Sequence, residues 1–259
     1  AGWQWVFLLE GAPAVLLGLA VPFLLADRPR DARWLTPAER HYLEGTLEAD
    51  RREITGTGVM TLGRALRQRA VWTLAIGIMA INTGGYALAF WLPTAMTGLL
   101  GQADRPTDPT NVLDWTMFIY LCGLVGVLVA AQSSDRTGER KWHCVAGLVL
   151  AGAGLALSVV PGQPWAAVFL WLCVAGFGAF FWIPPFWVLP TSALTASAAA
   201  VAVGVINMCA NLAGLIGSAA VGELRAAGVG DAGCVLFLAG GYTLGAVVLS
   251  TIRVRPPAP

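Results

Sequence analysis

Seven apolar stretches, near residues 4–25, 71–97, 114–133, 143–160, 166–190, 200–221 and 233–252, leave this chain few ways to fold. A helix rises about 1.5 Å per residue, so each stretch can cross a hydrocarbon core of about 30 Å. Buried parallel strands would be much shorter. The helices of a soluble domain would carry a charged face, and these stretches show none. Gly and Pro interrupt several of them, as spanning helices tolerate. Composition agrees. The chain is 57% hydrophobic and only 12% charged, with a mean hydropathy of +0.68, where a soluble domain carries about 25% charge. The expected fold class is an all-α integral membrane protein with seven transmembrane helices.

Orientation follows from the Lys and Arg residues. Nine lie in the linker 26–70, three in the turn after the third stretch (Arg136, Arg140 and Lys141) and two in the tail (Arg253 and Arg255). Only Arg105 and Arg225 fall on the other side. Fourteen of the sixteen basic residues on one side predict a cytoplasmic linker, turn and C-terminus. Ala1 then lies outside, with Trp3 and Trp5 as an interfacial aromatic belt. The opening "AGWQWVFLLEG" has neither an initiating Met nor a basic n-region and does not read as a signal peptide. An odd number of earlier helices is expected before it. In the linker, Thr36, Pro37 and Glu39 form a capping box, and a surface helix is expected over about 37–53. Seven acidic residues nearly match the linker's nine basic ones, which favours membrane anchoring over nucleic-acid binding.

Polar side chains inside spans are costly and face cavities or neighbouring helices. On the sixth stretch Gly204, Asn207, Asn211, Gly214 and Ser218 recur at spacings of three and four, forming one small and polar stripe. Close packing with Asn as interhelical glue accounts for the glycines and Ser218. Two Asn one turn apart also suit donation from both amides to a carboxylate. On the second stretch Asn82 and Tyr86 share a face near mid-membrane, beside Gly84 and Gly85. They read either as a contact with a transported solute or as a glycine kink with Asn82 bonded to backbone. In "FFWIPPFW" (180–187), Pro184 and Pro185 remove two amide donors and free carbonyls on the preceding turn. Trp182 and Trp187 there either line an aromatic wall or pack against neighbours. Glu10 is the acidic residue inside the first stretch. It either titrates there or reaches the interface.

Several segments carry a family resemblance. "GWQWVFLLEGAPAVLLG", followed by "LADRPRDARWLTPAER", resembles the sixth helix and central loop of the major facilitator superfamily, in particular its anion:cation symporter branch of tartrate and phthalate permease relatives. "SDRTGERKWH" (134–143) resembles the loop between helices eight and nine, the second copy of the G-x-x-x-D-R-x-G-R-R-type motif. "IPPFWVLP" and "GVINMCANLAGLIGS" resemble helices ten and eleven. The resemblance implies that residues 1–26 are the last helix of an N-terminal half. Residues 27–70 are then a cytoplasmic central loop with a short amphipathic helix, and 71–259 a six-helix C-terminal domain. Helices one to five, which in the family hold charges for proton coupling and anion binding, have no counterpart in the sequence. The resemblance also implies a conformational latch built from Asp135, Arg136, Glu139 and Arg140, against the plainer reading of topological anchoring. It turns Asn207 toward substrate contact and makes Trp187 pore-facing.

The expected function is therefore secondary active transport in a bacterial inner membrane. A small organic anion would move by proton symport and alternating access, with the missing N-terminal half and the lipid bilayer as partners. Substrate-binding candidates are Asn82, Tyr86, Trp187, Asn207 and Asn211. The alternative is a truncated remnant, or a membrane interaction module of the same fold, that transports nothing alone. No catalytic constellation, phosphate loop or metal-ligand spacing appears, so neither enzymatic activity nor a cofactor nor a metal is expected. The five cysteines sit in apolar runs and read as buried free thiols.

Overall fold

A computed structural model describes residues 2–56, 62–102, 109–193 and 196–253. Arg105, Arg255 and the side chains of Trp3 and Arg51 lie outside the described structure. The chain divides into two compact units, Ala1–Val59 and Met60–Pro259.

The first unit opens with helix α1 (Gly2–Leu24), which contains Pro13 and Pro22. It is apolar on all sides, as a helix solvated by lipid or by other membrane helices must be. A short 3-10 turn (Pro29–Asp31) leads to α2 (Pro37–Gly56). The capping box forms as the sequence requires. The Thr36 amide donates to Glu39 Oε2 at 2.9 Å, and the Glu39 amide donates to Thr36 Oγ1 at 3.3 Å. The Thr36 amide and then its hydroxyl hold the Glu39 carboxyl below its ordinary value, so the cap persists until acid reaches that lower value. Arg40, one turn into α2, donates to the carbonyl of buried Ala32 at 3.1 Å and pins the preceding turn to the helix.

The second unit is a helical bundle. After the one-turn α3 (Leu62–Ala65) come α4 (Arg69–Gln102), α5 (Pro109–Thr137), α6 (Lys141–Ser158) and α7 (Trp165–Phe181). Helices α8 (Ile183–Ala193), α9 (Ala196–Ala226) and α10 (Asp231–Ser250) complete it. Among the described residues, six helices are long and apolar enough to cross a membrane, the α7–α8 pair counting as one. The two halves of α4 make a seventh when taken as one span. The spans coincide with the seven apolar stretches, and their polar ends run several residues further. Helix α5 starts at Pro109 and α9 at Ala196, because a helix continues past the apolar layer until a turn stops it.

Two breaks shape the bundle. Helix α4 bends by 57° between Arg69–Tyr86 and Trp91–Gly98. Pro93 lacks the amide that would bond one turn back, to residue 89, which weakens the ladder at that point. The bend therefore follows the Gly84–Gly85 pair instead of centring on it. At Trp182, α7 ends and α8 restarts. Pro184 and Pro185 fall in the first turn of α8, where helix amides have no intrahelical partner to lose. The Phe180 carbonyl, which Pro184 cannot bond, accepts from the Trp182 amide, and the Trp182 carbonyl is not left open either. It accepts from the Phe186 amide at 3.2 Å and from Cys144 Sγ at 3.7 Å.

Helix α4 packs against α9 and α10, α6 against α7 and α10, and α5 against α7. Leu74, Ile78 and Ile81 of α4, Leu148 of α6 and Phe186 of α8 are fully buried among them. Helices α6 and α7 meet backbone to backbone. A Cβ on Gly154 would lie 2.6 Å from the Ala175 nitrogen, and one on Gly178 would lie 2.6 Å from the Gly147 carbonyl. Such contact suits a membrane, where helices associate by close packing more than by expelling water. Leu113, Leu124, Val149, Leu170 and Val247 are exposed on the outside, the reverse of a soluble surface. The five cysteines are free; Cys144, Cys209 and Cys234 are buried, while Cys122 and Cys173 are partly exposed.

Candidate functional site

A cavity of about 330 Å³ opens between α4, α5, α7, α8, α9 and α10. Four sequence candidates line it: Asn82, Tyr86, Trp187 and Asn207. Asn211 does not, although it is exposed one turn from Asn207. Asn82 lies thirteen residues after Arg69 and Asn207 eleven after Ala196, each more than three turns into its helix. Asn207 is six residues past Val201, where the apolar span of α9 begins, or about 9 Å into it, so both polar groups stand inside the spans.

The two asparagines differ in how they are held. Asn82 Nδ2 donates to the Ala210 carbonyl at 3.3 Å, tying α4 to α9, and Oδ1 remains an acceptor without a partner among the described residues. Asn207 makes no bond to another helix among the described residues. Asn211 Nδ2 donates to the Asn207 carbonyl at 2.8 Å and to Asn207 Oδ1 at 3.4 Å. With its oxygen engaged, Asn207 keeps an amide group that makes no hydrogen bond among the described residues. The rest of the stripe divides by contact. Gly214 is buried against the Tyr86 ring, while a Cβ on Gly204 would meet nothing within 4 Å.

Aromatic rings make up much of the wall. Trp187, 38% exposed, stands edge-on to Phe186 at 5.5 Å between ring centroids. Phe180 meets Tyr120 in the same manner at 5.9 Å. Trp182 is buried against Phe186, and its Nε1 has no hydrogen-bond partner. Phe180 opens the aromatic segment 180–187 but is no candidate there, and neither are Tyr120 and Tyr242. Tyr120 sits in an unpatterned apolar run, and the only signal for Tyr242 is its place directly after Gly240 and Gly241. All the lining side chains are neutral. Such a wall offers hydrogen bonds and stacking, and makes no ion pair.

The charged turn between α5 and α6 forms a separate cluster. Arg140 Nη1 donates to Asp135 Oδ1 at 2.6 Å and to the buried Ser134 hydroxyl at 2.8 Å. Glu139 accepts from the amides of Trp142 and His143, at 2.8 and 3.2 Å, and so caps α6, where a carboxylate is favoured. His143 Nδ1 lies 3.3 Å from the same carboxylate oxygen. Arg136 is exposed and makes no ion pair among the described residues. The structure therefore joins Asp135 to Arg140, gives Glu139 a capping role and leaves Arg136 apart. Glu10 stands exposed on α1.

The family model described as Major Facilitator Superfamily matches residues 1–218, and the chain belongs to that superfamily. A protein of Agrobacterium vitis named "Putative tartrate transporter" is 34% identical over the whole chain and 56% of its own length. A second protein of that name from the same organism is 33% identical over 99% of the chain and 58% of its own. The Inner membrane transport protein RhmT of Escherichia coli K12 is 32% identical over 98% of the chain and 57% of its own. The chain thus spans about half the length of the curated relatives it matches. It is a multi-pass membrane protein of this superfamily.

Proposed function

We propose that the carrier containing this chain moves a small organic anion together with protons, by alternating access, across a bacterial inner membrane. The carrying observation is the cavity, a neutral and aromatic pocket inside the spans with several converging hydrogen-bonding groups. The relatives' names support an anion, since two of them name tartrate, a small dicarboxylate. In this reading Asn207 donates to the solute and Asn211 orients it. Asn82 offers an acceptor, and Tyr86 and Trp187 form the aromatic wall. Residues 1–26 serve as the last helix of a first half, 27–70 as a cytoplasmic loop and 71–259 as the second half. The groups that balance the anion's charge and carry the proton belong to helices preceding α1. Asp135, Arg136, Glu139 and Arg140 act as a latch at the cytoplasmic face, with Arg136 reaching the other half and the Asp135–Arg140 pair opening as the carrier turns.

Purified protein from the complete gene, reconstituted in liposomes, should accumulate tartrate under an inward proton gradient. A protonophore should abolish the uptake. Uptake that follows sodium and ignores the proton gradient would refute proton coupling, and transport of neutral solutes alone would refute the anion.

Orientation has its own check. In a carrier stripped of its native cysteines, single cysteines within 104–110 should react with impermeant reagents from outside the cell. Those within 40–55 should react only after the membrane is opened. The opposite pattern would invert the topology.

A further inference from the structure

We propose that Tyr242 is a solute-binding residue whose hydroxyl hydrogen-bonds a hydroxyl group of the transported molecule. The inference rests on the functional reading above and adds to it a contact from α10, a helix that contributes no other residue to the cavity wall.

Tyr242 reaches the cavity through a gap in α4. Its ring lies against Gly84, where an added Cβ would sit 3.4 Å from two ring carbons and 2.8 Å from the Leu238 carbonyl. Its hydroxyl lies beside Gly85, where a Cβ would come within 3.3 Å of the phenolic oxygen. Gly85 itself lines the cavity. Two successive glycines thus remove the side chains that would otherwise separate α10 from the pocket. This assigns the Gly84–Gly85 pair a role distinct from the bend of α4, which falls after it.

The hydroxyl has no hydrogen-bond partner among the described residues. Tyr242 is 2% exposed. Buried tyrosines ordinarily find a partner, because a desolvated hydroxyl without one is destabilising. The sealed, unpartnered side-chain atoms of the described residues are Arg40 Nε, Trp182 Nε1 and Arg225 Nε. Tyr242 is not among them, and it lines the cavity. A phenol both donates and accepts, as an alcohol does. In the surrounding neutral wall Asn207 can only donate from its free amide, which suits a carboxylate whose charge is balanced by the groups assigned to the preceding helices. The solute's hydroxyl groups both donate and accept, and Tyr242 matches them.

Tartrate, malate and succinate lose one hydroxyl at each step and keep both carboxylates. In the protein from the complete gene, Tyr242→Phe should raise the tartrate-to-succinate KM ratio about three- to tenfold, the weight of one neutral hydrogen bond. An equal KM change for all three acids, or none for tartrate, overturns the proposal. Threitol, an uncharged relative of tartrate, separates the two readings. A wild-type carrier that moves threitol and no acid refutes the anion, and Tyr242→Phe is then judged by its threitol KM. A melt of the solute-free protein needs no transport at all. Tyr242→Phe should leave the melting temperature unchanged or higher, since no protein bond is lost. A lower one means the hydroxyl has a structural partner and overturns the proposal.

Discussion

Gly178→Val should prevent accumulation of folded carrier. The residue stands where α6 and α7 touch through their backbones. A Cβ there meets the Ala151 amide nitrogen and lies 2.6 Å from the Gly147 carbonyl. No side chain can rotate away, because both neighbours are backbone atoms of a helix. The helices must separate, and the contacts of Gly147 and Gly154 with α7 separate with them. Overpacking of this kind costs about 3 kcal/mol or more, a large share of the stability of a typical domain. The expected result is loss of the monodisperse peak when detergent extracts are run by size exclusion. Gly240→Ala is the control. A Cβ on Gly240 would meet nothing within 4 Å, so this change should leave the yield intact and slightly favour the helix. Equal yields of the two variants would mean that α6 and α7 pack otherwise.

The helices were legible because a membrane makes a strong sequence signal. A span must be apolar over its whole length and satisfy its own backbone, so length and composition locate it. The α2 cap was legible for another local reason. Thr36, Pro37 and Glu39 specify their bonds within a single turn. Helix contacts were not legible. Glycines punctuate nearly every span, and nothing in one sequence distinguishes Gly178, pressed on backbone, from Gly240, which faces open space. The same limit applied at the candidate site. Polar residues in apolar runs stand out, and Asn82, Tyr86, Trp187 and Asn207 do meet at one cavity. Asn211 has the same composition signal as Asn207, yet its amide turns back onto its own helix. Tyr242 gave almost no signal, because its access depends on glycines about 160 residues away in sequence.

Asn207→Ala and Asn82→Ala should part in their effects. Asn207 lines the cavity, bonds to no other helix among the described residues and has its oxygen engaged by Asn211. Its amide makes no hydrogen bond among the described residues, and a bond from it to a carboxylate would contribute about 1.5–3 kcal/mol. Asn207→Ala should therefore weaken binding of tartrate, or of whichever solute the carrier takes, by about 10- to 100-fold. It should leave the melting temperature close to wild type, since water can occupy the space left in the cavity. Asn82 instead ties α4 to α9 through the Ala210 carbonyl at 3.3 Å. Interhelical hydrogen bonds in membranes contribute about 0.6 kcal/mol on average and up to about 1.7. Asn82→Ala should lower the melting temperature by roughly 2–5 °C. It should also reduce affinity, and by less than Asn207→Ala does, because the lost cavity group is an acceptor and an anion brings acceptors of its own. Both quantities can be measured on the same purified variants, by thermal melting and by equilibrium binding. An Asn207→Ala carrier with normal affinity and a lowered melting temperature would remove Asn207 from the site and make it part of the helix packing.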